Sequence, residues 1–223
     1  MKKIITYLIL IIFIIAGILF FLTRVPAVQD ALFQRLAQSL ISTAPNIFPE
    51  EDSLSALVCG SKSPLPHPTR AETCVMIKAG EETFIFDVGN KSIDNLRNWR
   101  VPLDQLNSIF ISHLHSDHIA ELPEIHMWNW VGTSRQSKLK VYGPEGINQV
   151  LNGFTEAYSL DWKYRNDHHG DQFAPLDTAG FDGYEITDFS IPVYESNGIL
   201  ITAFLVDHKP IDPSLAFKIE YKG

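Results

Sequence analysis

Apolar residues follow different spacings in successive parts of the chain. From Ile4 to Leu22 they are almost continuous, relieved only by Thr6 and Gly17. That run has the roughly 20 residues needed to cross a bilayer. It is longer than the core of a signal peptide, about 7–15 residues, and Val25-Pro26-Ala27 is a poor cleavage site. The expectation for residues 1–24 is an uncleaved transmembrane anchor. Lys2 and Lys3 precede it, and the positive-inside tendency keeps them in the cytoplasm. The rest of the chain then lies on the outer, periplasmic or extracellular side of the cytoplasmic membrane. Val28, Leu32, Leu36 and Leu40 recur every fourth residue, with Asp30, Gln34, Arg35 and Gln38 between them. This predicts an amphipathic helix. Pro45 and Pro49 end it, so 25–50 reads as helix plus linker.

From residue 51 onward the apolar positions gather into short β-branched and aromatic runs between turn residues. Leu54 to Val58, Thr73 to Ile77 and Thr83 to Asp87 read as strands, with Gly80-Glu81 at the turn between the last two. Ser108 to Ser112, Leu139 to Tyr142, Asp182 to Ser190, Ile199 to Val206 and Leu215 to Tyr221 read the same way. Helical spacing appears from Ile119 to Trp130 and from Glu145 to Tyr158. His126, on the first of these helices, is expected at the surface or in packing. Asn166-Asp167-His168-His169-Gly170 reads as a polar loop, which makes His168 and His169 substrate-pocket candidates.

Composition adds limits. The 223 residues are 45% hydrophobic and 20% charged, enough for one domain with a sizeable core. A net charge of −8 implies no broad basic face, so nucleic acid is not the expected partner. Cys59 and Cys74 are the only cysteines, at the ends of adjacent predicted strands. In a reducing compartment they stay thiols. Outside the membrane they are placed for a disulfide, worth about 3 kcal/mol for a loop of roughly 15 residues.

The strongest chemical signal is His113-Leu114-His115-Ser116-Asp117-His118. It follows a buried-strand pattern. Side chains two apart on an extended segment share a side, so His113 and His115 can meet one ion. Ser116 offers a helix N-cap that would turn Asp117 and His118 toward the same place. Imidazoles with a carboxylate suit Zn²⁺, with Mn²⁺ or Fe²⁺ as alternatives.

These six residues resemble the H-x-H-x-D-H signature of metallo-β-lactamase fold hydrolases. Cys59-Gly60-Ser61-Lys62-Ser63-Pro64-Leu65-Pro66, Phe84-Ile85-Phe86-Asp87-Val88-Gly89, Val141-Tyr142-Gly143-Pro144 and Val206-Asp207-His208-Lys209-Pro210 are similar to the ribonuclease Z and arylsulfatase-like branch. The resemblance implies an α/β fold, an αββα sandwich, over 51–223. It implies that His113, His115 and His208 hold a first ion and that Asp117 and His118 hold a second. Asp117 would also orient or deprotonate the nucleophile, and Asp87 would support the histidines from behind. The second half of that fold normally adds a bridging Asp and a final His, which do not occur before Gly223. The expectation is therefore an incomplete domain. The functions implied are an exported, membrane-anchored hydrolase of a small sulfate, phosphate or carboxylic ester, a transfer-RNA 3′-processing endonuclease, or an inactive remnant.

Overall fold

A computed structural model describes residues 2–42, 47–49, 51–103, 106–131, 133 and 135–223. The chain divides into two units, residues 1–43 and 44–223. The first is helical. Helix α1 (Lys2–Leu22) carries the single stretch, among the described residues, that is long and apolar enough to cross a membrane. Its mean hydropathy is 3.1 over Lys3–Leu22. A span and a signal sequence both meet that description. Helix α2 (Pro26–Ser42) begins on Pro26, where a missing N–H costs nothing. Pro45 of the expected linker lies outside the described residues.

The second unit is built on a six-stranded sheet in which every strand pairs with its predecessor in sequence. Strands β1 (Leu54–Gly60), β2 (Cys74–Ala79) and β3 (Glu82–Phe86) are antiparallel. Strands β4 (Leu106–Phe110), β5 (Leu139–Gly143) and β6 (Phe181–Glu185) continue parallel. The crossovers carry helices α3 (Ser92–Asn98), α4 (Ser116–Ile119), α5 (Leu122–Trp130) and α6 (Ile147–His169). A second antiparallel sheet holds β7 (Tyr194–Ser196), β8 (Ile199–Leu205) and β9 (Leu215–Tyr221).

The two-residue period of the strands explains the layering. Ile85, Ile109 and Ile111 face a core that includes Ile93, Leu96, Leu122 and Ile147 from the helical layer. Phe84 and Phe110 point the other way and pack on Ile199 and Ile201 of the second sheet. Phe110 stacks between Phe86 and Tyr142, with ring centroids 5.0 and 4.9 Å away, and meets Phe217 edge-on. Both faces of β3 and β4 are thus buried, which is why their sequences run apolar without alternation. Glu82 ties the sheets together by accepting hydrogen bonds from the Tyr194 hydroxyl and from the Asn107 and Asn197 amides.

Several elements differ from the sequence expectation. The helix expected over 119–130 is two helices. The Val88 N–H donates to the His118 carbonyl and the Val88 carbonyl accepts from Glu121, so outgoing chain from β3 interrupts it. Pro123 then sits in the first turn of α5. Ser116 is not an N-cap; His115 occupies that position in extended conformation, without a side-chain cap. The strand expected over 182–190 ends at Glu185, and β7 and α3 were not anticipated. Most consequential, α6 runs through Asn166–His169 and ends at Gly170, whose φ is 79°. Gly170 N–H donates back to the Asn166 carbonyl at 2.7 Å, and the Asn166 amide donates to the Ala174 carbonyl. A glycine able to take positive φ closes the helix, about three turns beyond the Tyr158 end expected from the sequence.

Candidate metal centre

The histidine hexad leaves β4 at its C-terminal end and enters α4, where the parallel strands open onto a cleft. His113, His115 and His208 each place a ring nitrogen within 4.8 Å of the others. His113 Nε2 lies 3.2 Å from His115 Nδ1, and the His113 and His208 ring centroids are 4.8 Å apart. His208 arrives from the turn after β8. Leu215 N–H donates to the Ser112 carbonyl at 2.9 Å, which fixes the β8–β9 turn beside the hexad.

Asp117 and His118 form the other half of the cluster. His118 Nε2 lies 3.6 Å from Asp117 Oδ2, and Asp117 is 5% exposed. Asp87 organises the base of the site from the left-handed region, at φ 60°. Its Oδ1 accepts the Ser112 N–H and its Oδ2 the Ser112 hydroxyl, both at 2.8 Å. His118 Nδ1 also lies 2.8 Å from Oδ2, so that nitrogen donates and Nε2 is left toward the cluster. Gly89 permits the close approach, since a Cβ there would lie 2.1 Å from the Asp117 carbonyl.

Burial, helped by the neighbouring His118, lowers the His113 pKa to about 4. His113 is therefore a neutral imidazole at physiological pH, as a metal ligand must be. For His118, burial again opposes the charged form, but the hydrogen bond and charge of Asp87 prevail and raise the pKa. Three imidazoles round one point, beside a carboxylate and an oriented fourth imidazole, fit a divalent transition metal. Replacing Asp87 with asparagine is expected to weaken zinc binding about 10–100-fold through lost orientation of His118. Competition against a fluorescent chelator measures this, and unchanged affinity would sink the orienting role.

The cluster lines a cavity of about 510 Å³ whose remaining wall is Ser61, Lys62, Ser63, Pro64 and Thr73. Cys59 and Cys74, joined by a disulfide with Cα atoms 5.0 Å apart, hold the two ends of that wall together. His168 and His169 do not line the cavity. They lie on the last turn of α6, where His169 packs 5.2 Å from Phe173. His126 is a packing residue, buried against Trp130, Trp162 and Phe181. Sequence reasoning assigned no role to Ser112, Lys62 or Glu72. The adjacency of Ser112 to the hexad was the available signal for the first.

Residues 57–221 match the family model described as Anti-Pycsar protein Apyc1. Among curated relatives, ribonuclease Z of Mycobacterium marinum is 32% identical over 166 residues, covering 74% of this chain and 58% of that protein. Ribonuclease Z of Mycolicibacterium paratuberculosis is 30% identical over 172 residues, covering 76% and 60%. The chain thus spans about three fifths of the length of these relatives. Among solved structures, the short form of human tRNase Z superposes with a TM-score of 0.57 at 18% identity, covering 75% of this chain and 64% of that one. The metallo-β-lactamase fold protein YhfI from Bacillus subtilis gives 0.56 at 19% identity, with 75% and 58% covered. At such identities the likeness is one of fold.

Proposed function

Because the chain belongs to the Anti-Pycsar protein Apyc1 family and has a metallo-β-lactamase fold with ribonuclease Z-like relatives, we propose that it is a metal-dependent hydrolase of phosphodiester bonds. The observation that carries the proposal is the convergence of His113, His115 and His208 beside Asp117 and the Asp87-oriented His118. His113, His115 and His208 would hold a first ion, and Asp117 with His118 a second. Zn²⁺ is the favoured metal, with Mn²⁺ or Fe²⁺ as substitutes. A bound divalent ion supplies Lewis acidity that lets water lose a proton near pH 7. Asp117, buried at the start of α4, would orient the attacking water and accept its proton. Asp87 and Ser112 keep His118 in one tautomer and one position.

Of the sulfate, phosphate and carboxylic esters that such a site can hydrolyse, the ribonuclease Z relatives favour the phosphodiester. A second reading keeps the small-molecule ester and the export. The Cys59–Cys74 disulfide favours it, because such bonds persist in oxidising compartments. In that reading α1 anchors the chain, Lys2 and Lys3 face the cytoplasm, and transfer-RNA precursors are out of reach. The test of the hydrolase reading uses the full chain in detergent. Zinc-loaded protein is expected to cleave bis(p-nitrophenyl) phosphate, to stop on chelation and to resume on adding zinc. Zinc uptake without any diester cleavage would overturn it.

A further inference from the structure

We propose that Lys62 is the residue through which the cavity selects anionic esters, its ammonium contacting a non-bridging oxygen of the phosphoryl group. The inference rests on the phosphodiester reading and adds the specificity-determining residue to it.

Lysine is seldom buried without a partner. The Lys62 side chain is only 12% exposed, and that of Glu72, with which it pairs at 2.7 Å, is 11% exposed. Drawing two charges out of water costs several kcal/mol each, and an apolar pair of similar volume is commonly as stable or more so. Packing alone therefore gives no reason for the pair. Its surroundings give one, because Lys62 lines the same cavity as His113, His115, Asp117, His118 and His208.

The ammonium has three donors. One goes to Glu72 Oε1, and a second makes a long contact, 3.4 Å, to the Ser63 carbonyl. Among the described residues no acceptor takes the third, which is left for an acceptor in the cavity. Charge-assisted hydrogen bonds to phosphoryl oxygens are the strong ones, and lysine supplies them as a point charge.

The ammonium is also held in place beforehand. Glu72 Oε2 accepts the Asn90 N–H at 2.9 Å, so the carboxylate cannot follow the lysine elsewhere. Ser61 N–H and Lys62 N–H both donate to the Ala71 carbonyl at 3.0 Å. Gly60 allows that contact, since a Cβ there would lie 1.5 Å from the Glu72 carbonyl oxygen. The Cys59–Cys74 bond closes the same loop from outside. A cation fixed in this way loses little freedom when an anion binds.

Two variants separate selection from support. Lys62→Met and Glu72→Gln both break the ion pair, so a purely structural pair predicts the same consequence for both. If Lys62 contacts the anion, they diverge. Binding of inorganic phosphate to the metal-free full chain, followed by ³¹P line broadening, is expected to weaken about tenfold or more in Lys62→Met. In Glu72→Gln, where the ammonium is retained and its counter-charge removed, it is expected to hold or strengthen. The double variant Lys62→Met/Glu72→Gln leaves no unpaired charge to disturb folding and is expected to bind as weakly as Lys62→Met. On zinc-loaded protein, the ratio of bis(p-nitrophenyl) phosphate to p-nitrophenyl acetate hydrolysis is expected to fall about tenfold in Lys62→Met and to be kept in Lys62→Arg. Equal loss of phosphate binding in Lys62→Met and Glu72→Gln overturns the inference, as does wild type that binds no phosphate, or an unchanged ratio. Wild type that takes up no zinc overturns the hydrolase reading and leaves the phosphate measurement to judge Lys62 alone.

Discussion

His113→Ala and His208→Ala are each expected to leave a chain whose zinc affinity is down by a hundredfold or more and whose diester hydrolysis is undetectable. Zinc held by four ligands carries about 10–16 kcal/mol of apparent binding free energy, so one ligand accounts for roughly 3 kcal/mol. His113 and His208 come from separate sheets yet bring their rings to 4.8 Å, so each supplies a direction that the other cannot replace. His169→Ala is the control. It removes an imidazole from the end of α6, outside the cavity, and wild-type zinc content should survive. Elemental analysis after dialysis against limiting zinc reads all three. Retained metal in His208→Ala, or lost metal in His169→Ala, would mean that the wrong imidazole has been assigned to the cluster.

His126→Phe is expected to flatten the acid limb of the stability profile. His126 is 1% exposed. Its Nε2 accepts the Gly180 N–H at 2.8 Å, so the ring is neutral with its proton on Nδ1. Nδ1 is buried without a hydrogen-bond partner among the described residues. Burial, with a smaller contribution from the charge of Arg135, lowers the pKa to about 3. The unfolded chain binds a proton near pH 6.5 and the folded chain does not, so unfolding takes up a proton between those values. The contribution is complete above pH 6.5 and is lost as pH falls toward 3. By pH 4.5 the loss amounts to about 2–3 kcal/mol. Phenylalanine keeps the ring contacts with Trp130 and Trp162 but strands the Gly180 N–H, at about 1–3 kcal/mol independent of pH. Urea denaturation at pH 7 and pH 4.5 tests the difference. The same acid loss in wild type and variant would remove His126 from the account.

The strands were readable because β3 and β4 are buried on both sides, so their apolar runs needed no partner to be recognised. The hexad was readable because its ligand types fall within one turn of chain. Other features depend on distant partners that no local pattern contains. The end of α6 rests on Asn166 reaching the Ala174 carbonyl, and the residues between them look like any polar loop. The burial of His126 depends on Trp162 and Phe181, far along the chain, closing over a helix face that reads as half polar. Lys62 and Glu72 meet only because the disulfide loop doubles back, and each alone reads as a surface charge. The position of His208 follows from one backbone bond between Leu215 and Ser112, which joins two sheets.

The order of strands in the large sheet bears on how the site is assembled during synthesis. Each strand from β2 to β6 docks on the one made just before it, so pairing is local and can proceed as the chain emerges. The hexad is therefore in place on a nearly finished sheet before His208 has been translated. His208 comes only with the turn between β8 and β9, and β9 must reach back to Ser112 to hold it there. The last imidazole thus joins by a long-range closure after the local contacts have formed. A metal ion held by all three rings would stabilise that closure selectively, so its uptake would report the arrival of His208.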